Sequence, residues 1–475
     1  MTLALHWFRT DLRMHDNLAL AAARAEGSVA AIYIATPGQW QMHDDAAIKQ
    51  DFWRRNLQEL EAALDALNIP LCYFEVADYK EVPALLENVL PHWKVSALHY
   101  NREYPLNERR RDIAVADLCN SLGVRIQIHD DQVLMPPDSV MNKSGQPFKV
   151  FTPFARHMRE LLQPLAGLQM KGIKQQAPLS LKRLNEQCEL RELSWPSTDP
   201  VWEKLWPAGE KHARKRLKEF CEGPIVDYAD ARNIPSIDGT SRLSPALAAG
   251  VISIRECWQA AQGEGDVAPG ENKNSEIWRN ELLWRDFYKH IIWHYPHVNQ
   301  HKPWRADVAH VPWQHDKNGF ASWCDGQTGI PIVDAGMRQL KETGWMHNRL
   351  RMLTAMFLSK HLLIDWRWGE RWFMQHLIDG DFAANNGGWQ WSASTGTDAV
   401  PYFRIFNPVT QSRRFDPDGT YLRRYVPELA DLDHATIHDP GILRPAAYPA
   451  PMIELSFGRE RALRAFKKRT DLSDG

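Results

Sequence analysis

Leu-Ala-Leu-His-Trp-Phe-Arg (3–9) and Val-Ala-Ala-Ile-Tyr-Ile-Ala-Thr (29–36) decide how this chain begins to fold. Each is a short apolar run, strand-like in length and composition. Three more follow at Ile69–Val76, Val95–Asn101 and Val124–Asp130, and helical patterns over 17–26, 46–67, 80–90 and 107–122 fill the intervals. Apolar strands alternating with helices imply a parallel, doubly wound sheet, and right-handed crossovers put helices on both of its faces. The reading is a five-stranded α/β domain over residues 1–131. No Gly-x-Gly-x-x-Gly follows the first strand, which argues against an ordinary dinucleotide site there.

Past residue 131 the pattern changes. Pro136, Pro137, Pro147, Pro153, Pro164, Pro178, Pro196 and Pro200 interrupt a stretch of little periodicity. A connector of that length is uncommon inside one compact domain. Residues 132–205 therefore read as an interdomain linker with a short helix over 152–163. From 206 to 475 the periodicity is helical, over 209–222, 245–262, 275–294, 331–343, 346–364 and 368–378. A chain of 475 residues is long enough for this division.

Bulk properties exclude several classes. The net charge of −2 gives no global basicity, so any nucleic-acid contact must come from a local patch. Cysteines at 72, 119, 188, 221, 257 and 324 have neither zinc spacing nor a Cys-x-x-Cys pair. No metal site is expected. The absence of a secretory start points to reduced thiols and an intracellular protein. No apolar run approaches the roughly 20 residues needed to cross a bilayer. Lys467-Lys468-Arg469 reads as a solvated helix end.

Chemistry concentrates in Asp-Gly-Asp-Phe-Ala-Ala-Asn-Asn-Gly-Gly-Trp-Gln-Trp (379–391). With many polar groups and few aliphatics, it suits a pocket for a flat, hydrogen-bonding, electron-accepting ring. Asp379, Asp381 and Asn385 can pair with ring edges, Gly387 and Gly388 allow close backbone approach, and Trp389 and Trp391 offer π-faces or an electron. Thr240-Ser241-Arg242-Leu243-Ser244-Pro245 precedes a helix, with Ser244 read as N-cap and Pro245 as first helical residue. Such a start is a ready anion site, although capping alone accounts for the same residues. Tyr228 and Arg232 lie just upstream. In the 275–294 helix, which also carries Trp278, residues Glu281, Trp284, Arg285 and Tyr288 share a face by i, i+3, i+4, i+7 spacing. They suit a polar heterocycle or a buried structural network. On the 346–364 helix Asn348 and Met352 share a face, with Arg351 beside them. Lys211, Arg214, Lys215, Arg216 and Lys218 make a solvated helix face. Arg349, Arg404, Arg413 and Arg414, flanked by aromatics, are better phosphate candidates.

Taken together, Thr-Ser-Arg-Leu-Ser (240–244), Trp-Arg-Asp-Phe-Tyr (284–288), Gly-Trp-Met-His-Asn-Arg-Leu-Arg-Met (344–352) and the 379–391 stretch resemble the photolyase/cryptochrome flavoproteins. The opening Trp-Phe-Arg-Thr-Asp-Leu-Arg-Met-His-Asp-Asn (7–17) is similar to that family's start. The resemblance covers nearly the whole chain and is nearest to bacterial class I cyclobutane pyrimidine dimer photolyases. It implies an antenna-binding α/β domain, a linker and an all-helical FAD domain over 206–475. It also implies that Tyr228, Thr240, Ser241, Arg242, Leu243, Ser244 and Trp278 help to bind FAD, with Arg351, Asp379, Asp381 and Asn385 around the isoalloxazine. Glu281, Asn348, Met352, Trp284 and Trp391 would receive a flipped-out lesion. Arg232, Arg349 and Arg404 would grip the DNA backbone. Trp389, Trp366 and Trp313 match the family's chain that photoreduces oxidised flavin.

An antenna pigment is implied as well. Asn107-Glu108 stands where folate-binding members carry an Asn-Glu pair, which points to 5,10-methenyltetrahydrofolate. Asn299-Gln300 replaces a Cys-Lys pair of that pattern, so 8-hydroxy-5-deazaflavin or an empty antenna site stays open. Asn348 and Met352 stand where a (6-4) photoproduct enzyme would carry histidines, which disfavours that activity. The expected function is light-driven repair of UV-damaged DNA by a cytoplasmic, bacterial, monomeric enzyme that joins the nucleoid when bound to DNA. The alternatives are a blue-light signalling cryptochrome and a single-strand-specific cryptochrome relative.

Overall fold

The computed structural model describes residues 3–163, 172–261, 273–309, 311–398 and 404–467. Lys468 and Arg469 of the basic run lie outside the described residues. Five parallel strands, β1 (Leu3–Phe8), β2 (Ser28–Ala35), β3 (Leu71–Glu75), β4 (Val95–Asn101) and β5 (Arg125–His129), form one sheet in the order β3-β2-β1-β4-β5. Between them run α1 (Leu18–Glu26), α2 (Pro37–Met42), α3 (Ala47–Asp65), α4 (Val82–His92) and α5 (Leu106–Leu122). β1 is buried along its whole length and β2 from Val29 onward, as the unbroken apolar runs require. The sheet's core gathers Leu5, Ile32, Phe74, Leu86, Leu98 and Tyr100.

The chain divides into two compact units. The first contains Met1–Gly223, Ser241–Pro296 and Ile378–Gly380; the second contains Pro224–Thr240, His297–Leu377 and Asp381–Gly475. Within the first unit, the proline-punctuated stretch packs back on the sheet. Gln176 exchanges hydrogen bonds with the backbone of Val29, Trp93 Nε1 donates to Lys182 O, and Cys188 bridges Tyr73 of β3. The expected short helix is present at Phe151–Leu162.

The same unit also holds α6 (Glu210–Glu222), α7 (Ser244–Ala248) and α8 (Lys273–His294). What fixes α7 and its surroundings to the sheet lies in the 7–17 stretch. Arg13 donates to Gly250 O at 3.0 Å and to Asp131, and Arg255 donates to Asp131 Oδ1 at 2.6 Å and to Asp16 Oδ2 at 3.0 Å. Burial alone would raise the Asp131 carboxyl, but Arg13 and Arg255 outweigh it and hold it below the usual carboxylate range. The single helix expected over 245–262 is instead α7 followed by Ile254–Ala260. The break falls at Gly250, at φ +67°, where a Cβ would meet Thr10 O at 2.1 Å.

The second unit is helical: α9 (Pro331–Thr343), α10 (Asn348–Met356), α11 (Trp366–Met374), α12 (Phe382–Ala393), α13 (Pro408–Phe415) and α14 (Leu455–Lys467) are its main elements. Its core includes Trp323, Val333, Leu340, Leu353, Phe357, Trp366, Phe373 and Trp389. The helix expected over 346–364 ends at Met356 and passes into a π-turn, Phe357–His361. Among the described residues no helix is long and apolar enough to cross a membrane. All six cysteines are unpaired.

One consequence is measurable. His6 and His99 sit in register on β1 and β4, and His99 stacks on His129 at 6.2 Å. His6 is fully buried, and neither of its ring nitrogens has a hydrogen-bond partner among the described residues. Burial, with His99 and Arg9 nearby, holds its pKa well below 6.5. The folded state keeps the ring neutral, whereas the unfolded chain takes up a proton near 6.5. Its contribution to stability is complete above that pH and is lost as pH falls below it. Denaturant midpoints should therefore drop on acidification, and His6→Leu should reduce the slope. An unchanged slope in the variant would exclude His6 as a source.

Candidate flavin and lesion site

In the first unit, Arg242 stands at φ +52° between Ser241 and Leu243. Leu243, not Ser244, occupies the cap position of α7, and Ser244 is its first residue with Pro245 second. The register differs by one from the sequence reading because Leu243 already has near-helical backbone, so the Ser244 hydroxyl is not the cap. Arg216 of α6 donates to Ser241 O at 2.9 Å and braces this turn.

Along α8 the expected face is real. Glu281, Trp284, Arg285 and Tyr288 are half-buried, whereas Leu282, Leu283, Asp286 and Phe287 turn into the core. Phe151 stacks on the Trp284 indole at 3.6 Å and 7°, which fixes its ring plane. Arg285 is drawn to the carbonyls of Gln132 and Leu247. Trp278 is buried against Phe220 at 4.9 Å. Asp379 is also buried, and the next carbonyl, Gly380 O, accepts from Lys49 Nζ at 2.5 Å.

The second unit carries the rest. His347 caps α10 through its Nδ1, which accepts from Arg349 N. Asn348, Arg351 and Met352 lie on the outer face of α10, and Leu350, Leu353 and Thr354 are buried. Arg351 Nε donates to Met346 O at 2.8 Å. Arg349 donates to Asn233 and lies over Phe415 at 4.4 Å, so it shares a patch with Arg232 and with Arg414, itself 5.1 Å from Phe415. Arg404 is exposed, and its carbonyl accepts from the buried Lys360. Burial lowers the Lys360 pKa to about 7.

The 379–391 stretch is helix from Phe382. Asp381 caps α12, its Oδ1 accepting from Ala384 N at 3.0 Å. Asn385 Nδ2 donates to Glu370 O at 2.9 Å, and Asn386 Nδ2 donates to Glu370 Oε1 at 2.7 Å. Glu370 was not singled out in the sequence, although its position could have signalled it. Trp366, Gly369, Glu370 and Phe373 follow i, i+3, i+4, i+7 spacing and all are buried, so one acid lies on an apolar face. Trp389 is core, T-shaped to Phe373 at 5.0 Å and to Trp323 at 6.0 Å, with Nε1 lacking a partner among the described residues. Trp391 is half-buried. Trp366 begins α11, and Trp313 precedes Gln314, whose amide donates to Leu363 O at 2.7 Å. That pairing sets Trp313 close to the start of α11.

These residues fit a flavin. The outer face of α10 supplies a permanent cation and an amide, and α12 supplies a second amide. A Cβ at Gly388 would meet nothing within 4 Å, so protein packing does not require the glycine there.

In the α/β unit, His43 Nε2 is 2.8 Å from Gln39 Nε2 and 3.0 Å from Asn107 Nδ2, and its Nδ1 is 3.6 Å from Glu108 Oε1. Tyr79 OH donates to the same oxygen at 3.4 Å. Glu108 is buried, its pKa is raised by desolvation, and Oε2 has no partner among the described residues. Among those residues, no group of three His, Cys, Asp or Glu side chains could hold a metal ion.

Residues 278–468 match the family described as the FAD binding domain of DNA photolyase, and residues 4–171 match the DNA photolyase family. The chain is 44% identical to the deoxyribodipyrimidine photo-lyase of Vibrio cholerae, over 98% of this chain and 99% of that one. It is 43% identical to that of Escherichia coli, over 98% and 99%. Among solved structures, a bacterial class III photolyase from Agrobacterium tumefaciens superimposes with a TM-score of 0.85 at 34% identity, over 99% of this chain and 98% of that one. A cryptochrome from Synechocystis superimposes at 0.84 and 27%, over 98% and 99%.

The packing of α12 on α11 yields a test. A Cβ at Gly369 would lie 2.1 Å from Trp389 Cη2 and 2.7 Å from Leu358 Cδ2. Gly369→Ala should destabilise the protein by about 1–3 kcal/mol, the usual cost of overpacking. Equilibrium denaturation measures it, and a wild-type midpoint would mean that the two helices are not in van der Waals contact there.

Proposed function

The chain belongs to the photolyase/cryptochrome family, and on that premise we propose that it is a light-driven DNA repair enzyme, a deoxyribodipyrimidine photolyase acting on cyclobutane pyrimidine dimers. The observation that carries this reading is the outer face of α10. It presents Asn348 and Met352 where a (6-4) enzyme would need proton-donating histidines, and both remain accessible. Fold likeness alone does not separate repair from signalling, because a cryptochrome is among the similar structures. The curated relatives at 43–44% identity are all named as photo-lyases.

Bound FAD in its reduced form supplies the light-driven electron that splits the cyclobutane ring. The chain's task is to hold that cofactor and present the lesion. Tyr228, Thr240, Ser241, Arg242, Leu243, Ser244 and Trp278 hold the cofactor's phosphate and ribityl parts. Arg351, Asp379, Asp381 and Asn385 surround its ring, with Glu370 fixing the Asn385 amide. Arg351 offsets negative charge on the ring, and Asn385 offers hydrogen bonding without a titratable proton. Trp389, Trp366 and Trp313 carry electrons inward to oxidised flavin.

The lesion must leave the duplex, at a cost of a few kcal/mol that is smaller for a damaged step. Trp284, braced by Phe151, and Trp391 contribute roughly 1–3 kcal/mol per stacked base. Glu281 and Asn348 hydrogen-bond the base edges, Met352 packs beneath, and Arg232, Arg349 and Arg404 hold phosphates. We assign residues 1–131 to antenna binding, 132–205 to the linker and 206–475 to catalysis, in a monomer. We read the antenna as 5,10-methenyltetrahydrofolate, with 8-hydroxy-5-deazaflavin as the second choice; the Asn107-Glu108 pair and a Glu108 Oε2 with no partner among the described residues, able to accept an N–H, support it. A similar archaeal photolyase structure, from Sulfolobus tokodaii, contains two FAD molecules, so a different pigment is the alternative.

FAD-loaded protein should be illuminated with a dimer in duplex DNA, the same dimer in single-stranded DNA, and a (6-4) product. Repair of the duplex dimer is expected; action on the single strand alone, or on the (6-4) product, would overturn the reading. Glu281→Ala should lower the repair yield up to about ten-fold with FAD occupancy unchanged, since a hydrogen bond contributes about 0.5–1.5 kcal/mol. Binding to dimer-containing DNA should weaken with salt, and Arg349→Ala should reduce the log–log slope by about 1. An unaltered slope would remove Arg349 from the phosphate contacts.

A further inference from the structure

Three tryptophans of the α/β unit touch in series and have no part in the site described above. Trp53 of α3 is 6% exposed and Trp40 of α2 is 5% exposed; their rings lie 5.7 Å apart at 60°. Trp195 stacks on Trp40 at 5.3 Å and 17° and is only half-buried. The series therefore runs from a buried indole to one that reaches solvent.

Its inner end is tied to the 379–381 segment. Lys49, one turn before Trp53, places Nζ 4.9 Å from the Trp53 ring centroid and donates to Gly380 O and to Asp45 Oδ1, each at 2.5 Å. At the outer end, Ser194 donates its amide and hydroxyl to the Glu75 carboxylate, each at 2.5 Å, one residue before Trp195. Hydrophobic packing alone would explain three touching indoles. The Lys49 cation beside the inner ring, paired with Asp45 and bound to Gly380 O, also ties that ring to the 379–381 segment. Exposure orders the series, because a positive hole is better solvated at the half-buried Trp195 than at the buried Trp53.

The indole N–H groups follow the same order. Trp53 Nε1 has no acceptor among the described residues, so an oxidised Trp53 would keep its proton and pass the hole on. Trp195 Nε1 donates to Leu190 O at 2.9 Å on a ring that water can reach.

We propose that Trp53, Trp40 and Trp195 form a second electron relay, leading from the Gly380 segment to solvent and separate from Trp389, Trp366 and Trp313. The proposal rests on the reading of 379–381 as flavin-binding. Trp53 yields one electron to photoexcited oxidised flavin, and Trp40 and then Trp195 refill the hole. Trp195 releases its N–H proton to water and regains a hydrogen atom from a thiol reductant in solution, which is oxidised to its thiyl radical.

FAD-loaded full-length protein, illuminated in air without thiol, should accumulate oxygen adducts at Trp195 and Trp313, mapped by mass spectrometry of the digest. In Trp53→Phe, and independently in Trp40→Phe, the Trp195 adduct should fall to the dark level while the Trp313 adduct persists. A Trp195 adduct that survives both substitutions would show simple surface oxidation and overturn the relay, as would no Trp195 adduct in the wild type. If Trp313 also stays unmodified in flavin-loaded protein, the flavin reading of both segments fails with it.

Discussion

Asp131, held between Arg13 and Arg255, is the constraint on which the first unit depends. A carboxylate taken out of water costs several kcal/mol unless it is paired and hydrogen-bonded. Here two guanidinium groups meet it from opposite directions in the sequence: one from the loop after β1, the other from the helix after Gly250. Removing either leaves a buried charge with half its support. Because Arg13 also binds Gly250 O and Arg255 also binds Asp16, the pair fixes the position of the turn that follows α7. Through α7, the 241–244 segment inherits part of its placement from this ion cluster.

In the second unit one buried acid has a comparable role. Glu370 binds Asn386 through its carboxylate and Asn385 through its carbonyl, while His301 Nδ1 donates to Oε2 at 2.9 Å. The adjacent Gly369 admits the Trp389 ring. Helix α12 is thus registered against α11 by a polar network on one side and an indole on the other. A residue offered to a ligand from α12 has little freedom to drift, which is what a preorganised site requires.

The parallel five-stranded sheet and the helical C-terminal half were legible because periodicity reports burial directly. Leu3–Phe8 differs from the sequence reading by one residue at its C-terminal end, and Ser28–Ala35 by one residue at each end. The 275–294 helix was legible for the same reason: its four half-buried positions carry the acid and the aromatics. Failures arose where backbone conformation decided the outcome. Gly250 looks like an ordinary helical glycine until Thr10 is known to press against it, and the Phe357–His361 π-turn leaves no local signature. Residues 132–205 have no period, yet backbone and side-chain amides such as Gln176 pin much of that stretch to the sheet. Resemblance named Asn385 and Asp381, but only the structure showed that Asp381 also acts as a helix cap and that Glu370 holds Asn385.

The Cys188–Tyr73 bridge has an effect beyond local packing. A parallel sheet ends in strands whose amides and carbonyls face outward, and β3 is one such border. By laying an antiparallel residue across the middle of β3, the returning chain denies a second molecule the template on which intermolecular strands extend. At the opposite border β5 carries Arg125, whose charge resists the same docking. Protection from fibrous self-association is thereby written into a segment that looks, residue by residue, like filler.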